Sequence, residues 1–471
     1  MIALQDKSVL VIGLGASGMA AGRLLLKLGA RLTAVDSADT SAAQAQAREL
    51  RAQNVTVRIG SNAPIAGDFD LAVISPGVPL DLPLVEDLKR RNVPLIGELE
   101  LGYQHACCLC VGITGTNGKT TTTELIERLL MHTQRKTVAC GNIGLPLCDV
   151  VEQTKDIDVL TVEVSSFQLE TTQFFRPAVA VLLNITPDHL DRHPTMADYV
   201  RVKGRIFANQ QAFDWAIVQS EALAQLREAG VKIPSKIITF SARDSQADIY
   251  FDRSLIVSRI EGWVGPLLDL SQCQLRGPHN AENLMAALMV GRVLRIPLAE
   301  MTDALKSYAP APHRCELVAE IGGVKFINDS KATNVDAVRQ SLLAIPPAEL
   351  GKPNIWLIAG GKDKGFDYHE LGPLLAQRVK GAFLIGEMRE RIRAAWGLFT
   401  ACTTADSLLE ATEHAARGAV SGDVVLLSPA CSSFDMFRNY QHRGDVFCEA
   451  VASLSGGGAK EEANTTANVV C

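Results

Sequence analysis

Residues 112–123 read GITGTNGKTTTT, and what this stretch does decides the fold. It follows an apolar run at residues 105–111 and opens a helical pattern near Lys119, with Leu125, Ile126, Leu129 and Leu130 on one helical face. The glycines therefore sit at a strand-to-helix turn, where converging backbone N–H groups and the positive end of the helix favour a polyphosphate. Gly115, Thr116, Asn117, Gly118, Lys119, Thr120 and Thr121 are the candidate ATP-binding residues. Lys119 would reach the terminal phosphates and Thr120 would hold Mg²⁺. The usual loop has a glycine six residues before the lysine, where this chain has Ile113, so the loop is a variant. A plain glycine-rich connection is the structural alternative; the order strand, Gly-Lys-Thr, helix argues against it.

Composition sets the frame around that loop. A chain of 471 residues is too long for one core and suggests about three domains. With 47% hydrophobic and 21% charged residues it reads as globular. Nowhere does an apolar run reach the length of a membrane span, and the first residues, MIALQDKSVLVIG, lack the plan of a secretory signal. A cytoplasmic protein without membrane insertion is the expectation. A net charge of −6 gives no general attraction to nucleic acid, and the basic run at residues 89–91 reads as a solvated helix end. Eleven scattered cysteines suggest free thiols. Cys107 and Cys110 form a C-x-x-C, to be read as core packing or, without a second pair, as an incomplete metal or redox motif.

Before the loop, residues 8–15 (SVLVIGLG) form an apolar strand ending in a GxGxxG turn at residues 13–18, and a second strand ends at Asp36. That is the layout of a Rossmann dinucleotide site. A third strand at residues 70–74 ends in Ser75-Pro76-Gly77. Two nucleotide sites need two nucleotides, so the first turn suits a nucleotide-linked substrate, a nicotinamide cofactor, or a scaffold that binds nothing. After the loop, a strand at residues 158–164 carries Glu163, and a strand at residues 178–185 runs into His189 and His193. Glu163 and His189 are candidate Mg²⁺ ligands; the four-residue histidine spacing also admits zinc. Residues 199–207 read as a helix in which Lys203 is either a solvated charge or a site residue. Asn280 and Asn283 open a further helix, as caps or as base-edge contacts.

Pro310 and Pro312 mark the second boundary. Beyond them, strands at residues 324–328, 354–359, 382–385 and 424–427 alternate with helices. Three of these strands end in clusters of Lys, Ser, Thr and Asp, at residues 328–334, 360–365 and 428–435, which suits a small anion. The expected class is α/β in three domains: a Rossmann-like domain at 1–97, a P-loop ATPase-like domain at 98–310 and a Rossmann-like domain at 311–454. A disordered tail is expected at 455–471.

Taken together, GITGTNGKTT at 112–121, GNIG at 141–144, EVSSFQLE at 163–170, NITPDHLDRH at 184–193, HNAEN at 279–283, HR at 313–314, NDSKATN at 328–334 and SPACSSFDMF at 428–437 resemble the Mur ligases of peptidoglycan synthesis. The resemblance spans about 450 residues. It implies ATP-dependent ligation of D-glutamate to UDP-N-acetylmuramoyl-L-alanine through an acyl phosphate and a tetrahedral intermediate. It implies that Leu14, Ser17, Asp36, Ser75, Gly77 and Asn142 hold the UDP substrate, although Ala38 stands where some members carry an arginine against uracil. It further implies a CO₂-derived carbamate on Lys203, which with Thr120, Glu163 and His189 would hold Mg²⁺. Catalysis would rest on Lys119, Glu163, His189, Lys203 and Lys331; Asn283 would meet adenine, Arg314 would offset developing charge at the ATP, and Asp329 would meet the ribose. Thr333, Lys364, Ser433 and the backbone near Tyr440 would hold D-glutamate. A monomer is expected, with domain closure near residue 310. The alternatives are a sister ligase adding another amino acid, a non-catalytic nucleotide-binding protein, or a dehydrogenase.

Overall fold

The computed structural model describes residues 4–189, 192–309, 311–348 and 351–461. The chain divides into two compact units. One comprises Met1–Ile185, Pro194–Gln274 and Asn280–Tyr308; the other comprises Thr186–His193, Leu275–His279 and Ala309–Cys471.

The first unit carries two sheets. In the amino-terminal one, β1 (Ser8–Ile12), β2 (Arg31–Asp36), β3 (Thr56–Ile59), β4 (Leu71–Ile74) and β5 (Leu95–Gly97) run parallel in the order β3-β2-β1-β4-β5. Alternate side chains of β1 feed different cores, as a strand buried on both faces requires. Val9 and Val11 pack with Met19 and Leu25, whereas Leu10 and Ile12 pack with Leu84 and Leu88. Strand order reverses at β1, so the turns after β1 and β4 flank a crevice.

The second sheet of this unit has nine strands: β6 (Leu109–Thr114), β7 (Thr137–Gly141), β8 (Val159–Glu163), β9 (Val179–Leu182), β10 (Trp215–Gln219), β11 (Lys236–Ser241), β12 (Ile249–Asp252), β13 (Leu255–Ser258) and β14 (Gly265–Asp269). Its order is β14-β13-β12-β11-β10-β9-β6-β8-β7, parallel from β7 to β12 and antiparallel beyond. Since β6 lies between β8 and β9, the glycine loop after β6 is flanked by the loops that leave those two strands. One expectation is corrected here. The run at residues 105–111 is not one strand, because helix Glu98–His105 takes its first residue and β6 begins only at Leu109. That helix is fixed by Glu100, whose buried carboxylate accepts the backbone N–H groups of Gln173, Phe174 and Phe175 at 2.8–3.0 Å.

The second unit holds β15 (Glu316–Ile321), β16 (Val324–Asn328), β17 (Ile355–Gly360), β18 (Val379–Ile385), β19 (Ala401–Thr404) and β20 (Val424–Leu427), in the order β15-β16-β20-β17-β18-β19. Only the edge strand β15 is antiparallel. With β20 between β16 and β17, the three polar clusters emerge side by side. The last helix, Tyr440–Glu461, continues past residue 454, where the sequence suggested a tail. Once nucleated by packed Phe447 and Val451, a helix extends at the cost of one residue per bond, even through glycines. Residues 462–471 and Pro310, the expected closure point, lie outside the described residues.

Candidate active site

In the first unit, β6 ends at Thr114 and the chain turns through Gly115 and Gly118, both with positive φ, into helix Lys119–His132. A side chain at position 118 would run into Asn283 Oδ1, so only glycine fits there. Asn184, just after β9, clamps the loop: its Oδ1 accepts the Asn117 N–H at 2.8 Å, its Nδ2 donates to the Asn117 carbonyl, and its own carbonyl accepts the Thr116 N–H. Lys119 Nζ donates to the Gly115 and Thr116 carbonyls at 3.0 and 2.7 Å, so its side chain folds back over the loop it belongs to.

Glu163, at the end of β8, is 2% exposed. Its Oε1 accepts Asn142 Nδ2 at 2.7 Å, while Oε2 is buried without a hydrogen-bond partner. Thr114 Oγ1, one residue beyond the Ile113–Glu163 pairing, is also buried and unpaired. An orphaned carboxylate oxygen beside a phosphate loop fits a divalent cation that shares its remaining ligands with phosphate, the usual mode of Mg²⁺. Among the described residues there is no group of three His, Cys, Asp or Glu that could hold a metal by protein ligands alone.

Lys203 overturns the solvated reading. It is 1% exposed, on helix Met196–Gly204; its Nζ donates to the Gly115 carbonyl at 2.7 Å and lies 4.6 Å from the Tyr199 ring centre. Tyr199 OH in turn lies 3.4 Å from Thr116 Oγ1. Asn283 is buried, with Oδ1 accepting from Thr122 and Nδ2 donating to Asn280, so its amide ties the helix Pro278–Val293 to the phosphate loop.

At the amino-terminal turn, Asp36 accepts the N–H groups of Leu14 at 2.6 Å and Ala38 at 2.8 Å. Ser75 Oγ donates to the Gly13 carbonyl at 2.8 Å. Leu14 is buried in the core; Ser17 is half-buried, and Gly77 has open space where a side chain would be.

The second unit gathers the other set. Lys331 Nζ sits 4.1 Å from the Tyr440 ring centre. Asp329 is held by three hydrogen bonds: Oδ1 accepts the Cys315 N–H, and Oδ2 accepts the hydroxyls of Ser341 and Ser428. Burial pushes its carboxyl up to about 6, with the hydrogen bonds from Ser341, Cys315 and Ser428, and then Arg314, opposing. Thr333 and Ser433 stand on the loops after β16 and β20, and Ser433 is buried. Of the two lysines after β17, Lys362 is exposed while Lys364 lies 3.6 Å from Asp188. His189 adopts a left-handed backbone, φ 55°, uncommon outside glycine. Of the expected metal set, Thr120, Glu163 and Lys203 belong to the first unit and His189 to the second.

Reading the sequence missed Arg443. Fully buried, it donates to Ser330 Oγ and carbonyl at 3.0 and 2.8 Å and to the Cys431 carbonyl at 3.2 Å, locking two of the polar loops together. Burial lowers its pKa to about 10. An arginine in the exposed-looking run FRNYQHRGD carries no sign of that role.

Family models match three consecutive stretches: the Mur ligase MurD-like N-terminal domain at residues 7–97, the Mur ligase middle domain at 113–291, and the Mur ligase glutamate ligase domain at 313–431. A protein of Acidobacterium capsulatum named UDP-N-acetylmuramoylalanine--D-glutamate ligase is 41% identical over 98% of this chain and 99% of its own. The chain belongs to the Mur ligase family. A second relative of that name, from Pelotomaculum thermopropionicum, is 41% identical over 96% of this chain and 98% of its own. Among solved structures, the fold of this Mur ligase matches UDP-N-acetylmuramate-alanine ligase MurC of Thermotoga maritima (TM-score 0.59, 17% identity, 95% of this chain and 100% of that one). It also matches MurF of the same organism in complex with ADP (TM-score 0.59, 18% identity, 96% of each chain).

Proposed function

We propose that this Mur ligase joins the amine of D-glutamate to the alanyl carboxylate of UDP-N-acetylmuramoyl-L-alanine, with ATP converted to ADP and phosphate. The observation that carries the reading is Glu163 Oε2, buried and unpaired, at the end of the strand paired with the one that enters the phosphate loop.

A carboxylate resists an amine because its carbon is shielded by charge and oxide is a poor leaving group. Transfer of the γ-phosphoryl to that carboxylate gives an acyl phosphate; amine attack then gives a tetrahedral intermediate that collapses to amide and phosphate. Negative charge grows in both steps, so the chain's task is to hold cations and N–H groups in place beforehand. The 115–121 loop would bind the phosphates through its backbone, and Lys119 would leave its two carbonyls for a phosphate oxygen. Glu163 and Thr120, with His189 and a carbamate on Lys203, would hold Mg²⁺, which when bound neutralises phosphate charge. Asp36 would keep the Leu14 turn open to the UDP, aided by Ser17, Ser75, Gly77 and Asn142. Asn283 would meet adenine and Asp329 the ribose, with Arg314 against developing charge. Thr333, Lys364, Ser433 and the backbone near Tyr440 would hold the two carboxylates of D-glutamate, with Lys331 stabilising the anion that develops nearby.

We place the protein in the cytoplasm as a monomer; no described helix is long and apolar enough to cross a membrane. Purified protein should release phosphate from ATP only when UDP-N-acetylmuramoyl-L-alanine and D-glutamate are both present. ATP turnover indifferent to both would sink the proposal, and activity with a different amino acid would make this a sister ligase.

A further inference from the structure

Asp188 has no part in the roles assigned so far, yet its buried carboxylate touches both kinds of site residue in the second unit. Its side chain is 8% exposed. Oδ1 accepts the backbone N–H of His189 at 2.9 Å and lies 3.6 Å from Lys364 Nζ. Oδ2 accepts Asn334 Nδ2 at 3.3 Å and lies 3.6 Å from His189 Nε2. Asn334 ends the NDSKATN cluster and caps the helix Val335–Ala344 by accepting the Ala337 N–H. One carboxylate thus joins the His189 segment, the loop after β16 and the loop after β17.

We infer that Asp188 is a positioning residue for the amino-acid substrate, holding the Lys364 ammonium in the place where it meets a carboxylate of D-glutamate. The inference rests on the reading that Lys364 binds that carboxylate. A lysine has four rotors, and ordering it costs rotamer entropy that a preset partner offsets before the ligand arrives. Asp188 can serve as such a partner because its bonds to His189 and Asn334 fix it without Lys364. It does not exhaust the lysine either, since an ammonium has three N–H donors and one carboxylate contact leaves two for the ligand. The opposite role, an internal carboxylate competing with D-glutamate for Lys364, would require Asp188 to be displaced, and its two other bonds oppose that.

The test is steady-state kinetics on the full-length enzyme with each substrate varied in turn. Asp188→Asn keeps size and the acceptor for the His189 N–H but removes the charge. KM for D-glutamate should rise about tenfold, the scale of one charge-assisted contact, with KM for ATP and for UDP-N-acetylmuramoyl-L-alanine within twofold. In a Lys364→Ala background the same change should add nothing to KM for D-glutamate. Asn334→Ser, which retains a good helix cap but loses the donor to Asp188, should raise that KM in the same selective way. An unchanged or lowered KM for D-glutamate in Asp188→Asn, a parallel rise for all three substrates, or effects additive with Lys364→Ala would overturn the role of Asp188. If Lys364→Ala itself leaves KM for D-glutamate unchanged, the reading of Lys364 fails instead.

Discussion

Two lysines share one carbonyl oxygen: Lys119 Nζ and Lys203 Nζ both donate to Gly115, at 3.0 and 2.7 Å. Two ammonium groups so placed repel by roughly 3 kcal/mol at an effective dielectric near 20. Incoming phosphates would offset that repulsion. The proposed carbamate on Lys203 would replace one of these two neighbouring cations with an anion. Lys203→Ala should lower kcat by about 10²-fold or more, the usual scale for one charge-stabilising group. Acetate or another small carboxylate should restore part of that activity, measured as D-glutamate-dependent phosphate release. Loss without rescue, in a variant that still binds ATP, would count against the carbamate.

Helix Glu98–His105 shows how an element can be tuned by one buried acid. Glu98 opens it; its Oε1 accepts the Cys148 N–H at 2.7 Å, while Oε2 is buried without a partner. Desolvation pushes its carboxyl from 4.5 up to about 7. Between those values the folded state holds a proton that the unfolded state has released, so stability falls as pH rises through that window. Glu98→Gln, neutral at every pH, should flatten this dependence and leave the protein more stable than the parent at pH 8, by an amount on the order of 1–3 kcal/mol. Thermal unfolding from pH 5 to 8 measures it, and parallel curves for parent and variant would refute the assignment. Elements were legible in the sequence where burial is continuous. β20 falls on residues 424–427 as the sequence predicts, because it is a parallel interior strand buried at every residue. Edge strand β15 and the antiparallel β12–β14 were not legible, since strands with one solvated face mix polar and apolar residues. The site divides the same way: glycine and lysine motifs announce themselves, while Asn184, Asp188 and Arg443 act through contacts that only the folded chain brings together.

At the scale of the molecule, the phosphate-loop residues and the D-glutamate residues belong to different compact units, although His189, Arg314 and Asp329, proposed for Mg²⁺ and ATP, lie in the second. The phosphate loop, Glu163 and Lys203 are in the first, and Lys331, Thr333, Lys364 and Ser433 are in the second. Acyl phosphate formation consumes ATP and the UDP substrate alone, so it should survive damage confined to the amino-acid loops. Ser433→Ala is expected to lower amide formation about 10²-fold or more. Yet with UDP-N-acetylmuramoyl-L-alanine and no D-glutamate, it should still scramble a β,γ-bridging ¹⁸O label in ATP at a rate within about threefold of the parent. Such scrambling reports reversible cleavage of the γ-phosphoryl, whatever happens afterwards. Lys119→Ala should abolish it, because that lysine acts on the phosphates in the first step. Loss of scrambling in both variants would mean that the amino-acid loops are needed to form the acyl phosphate, and the division of labour between the units would be wrong.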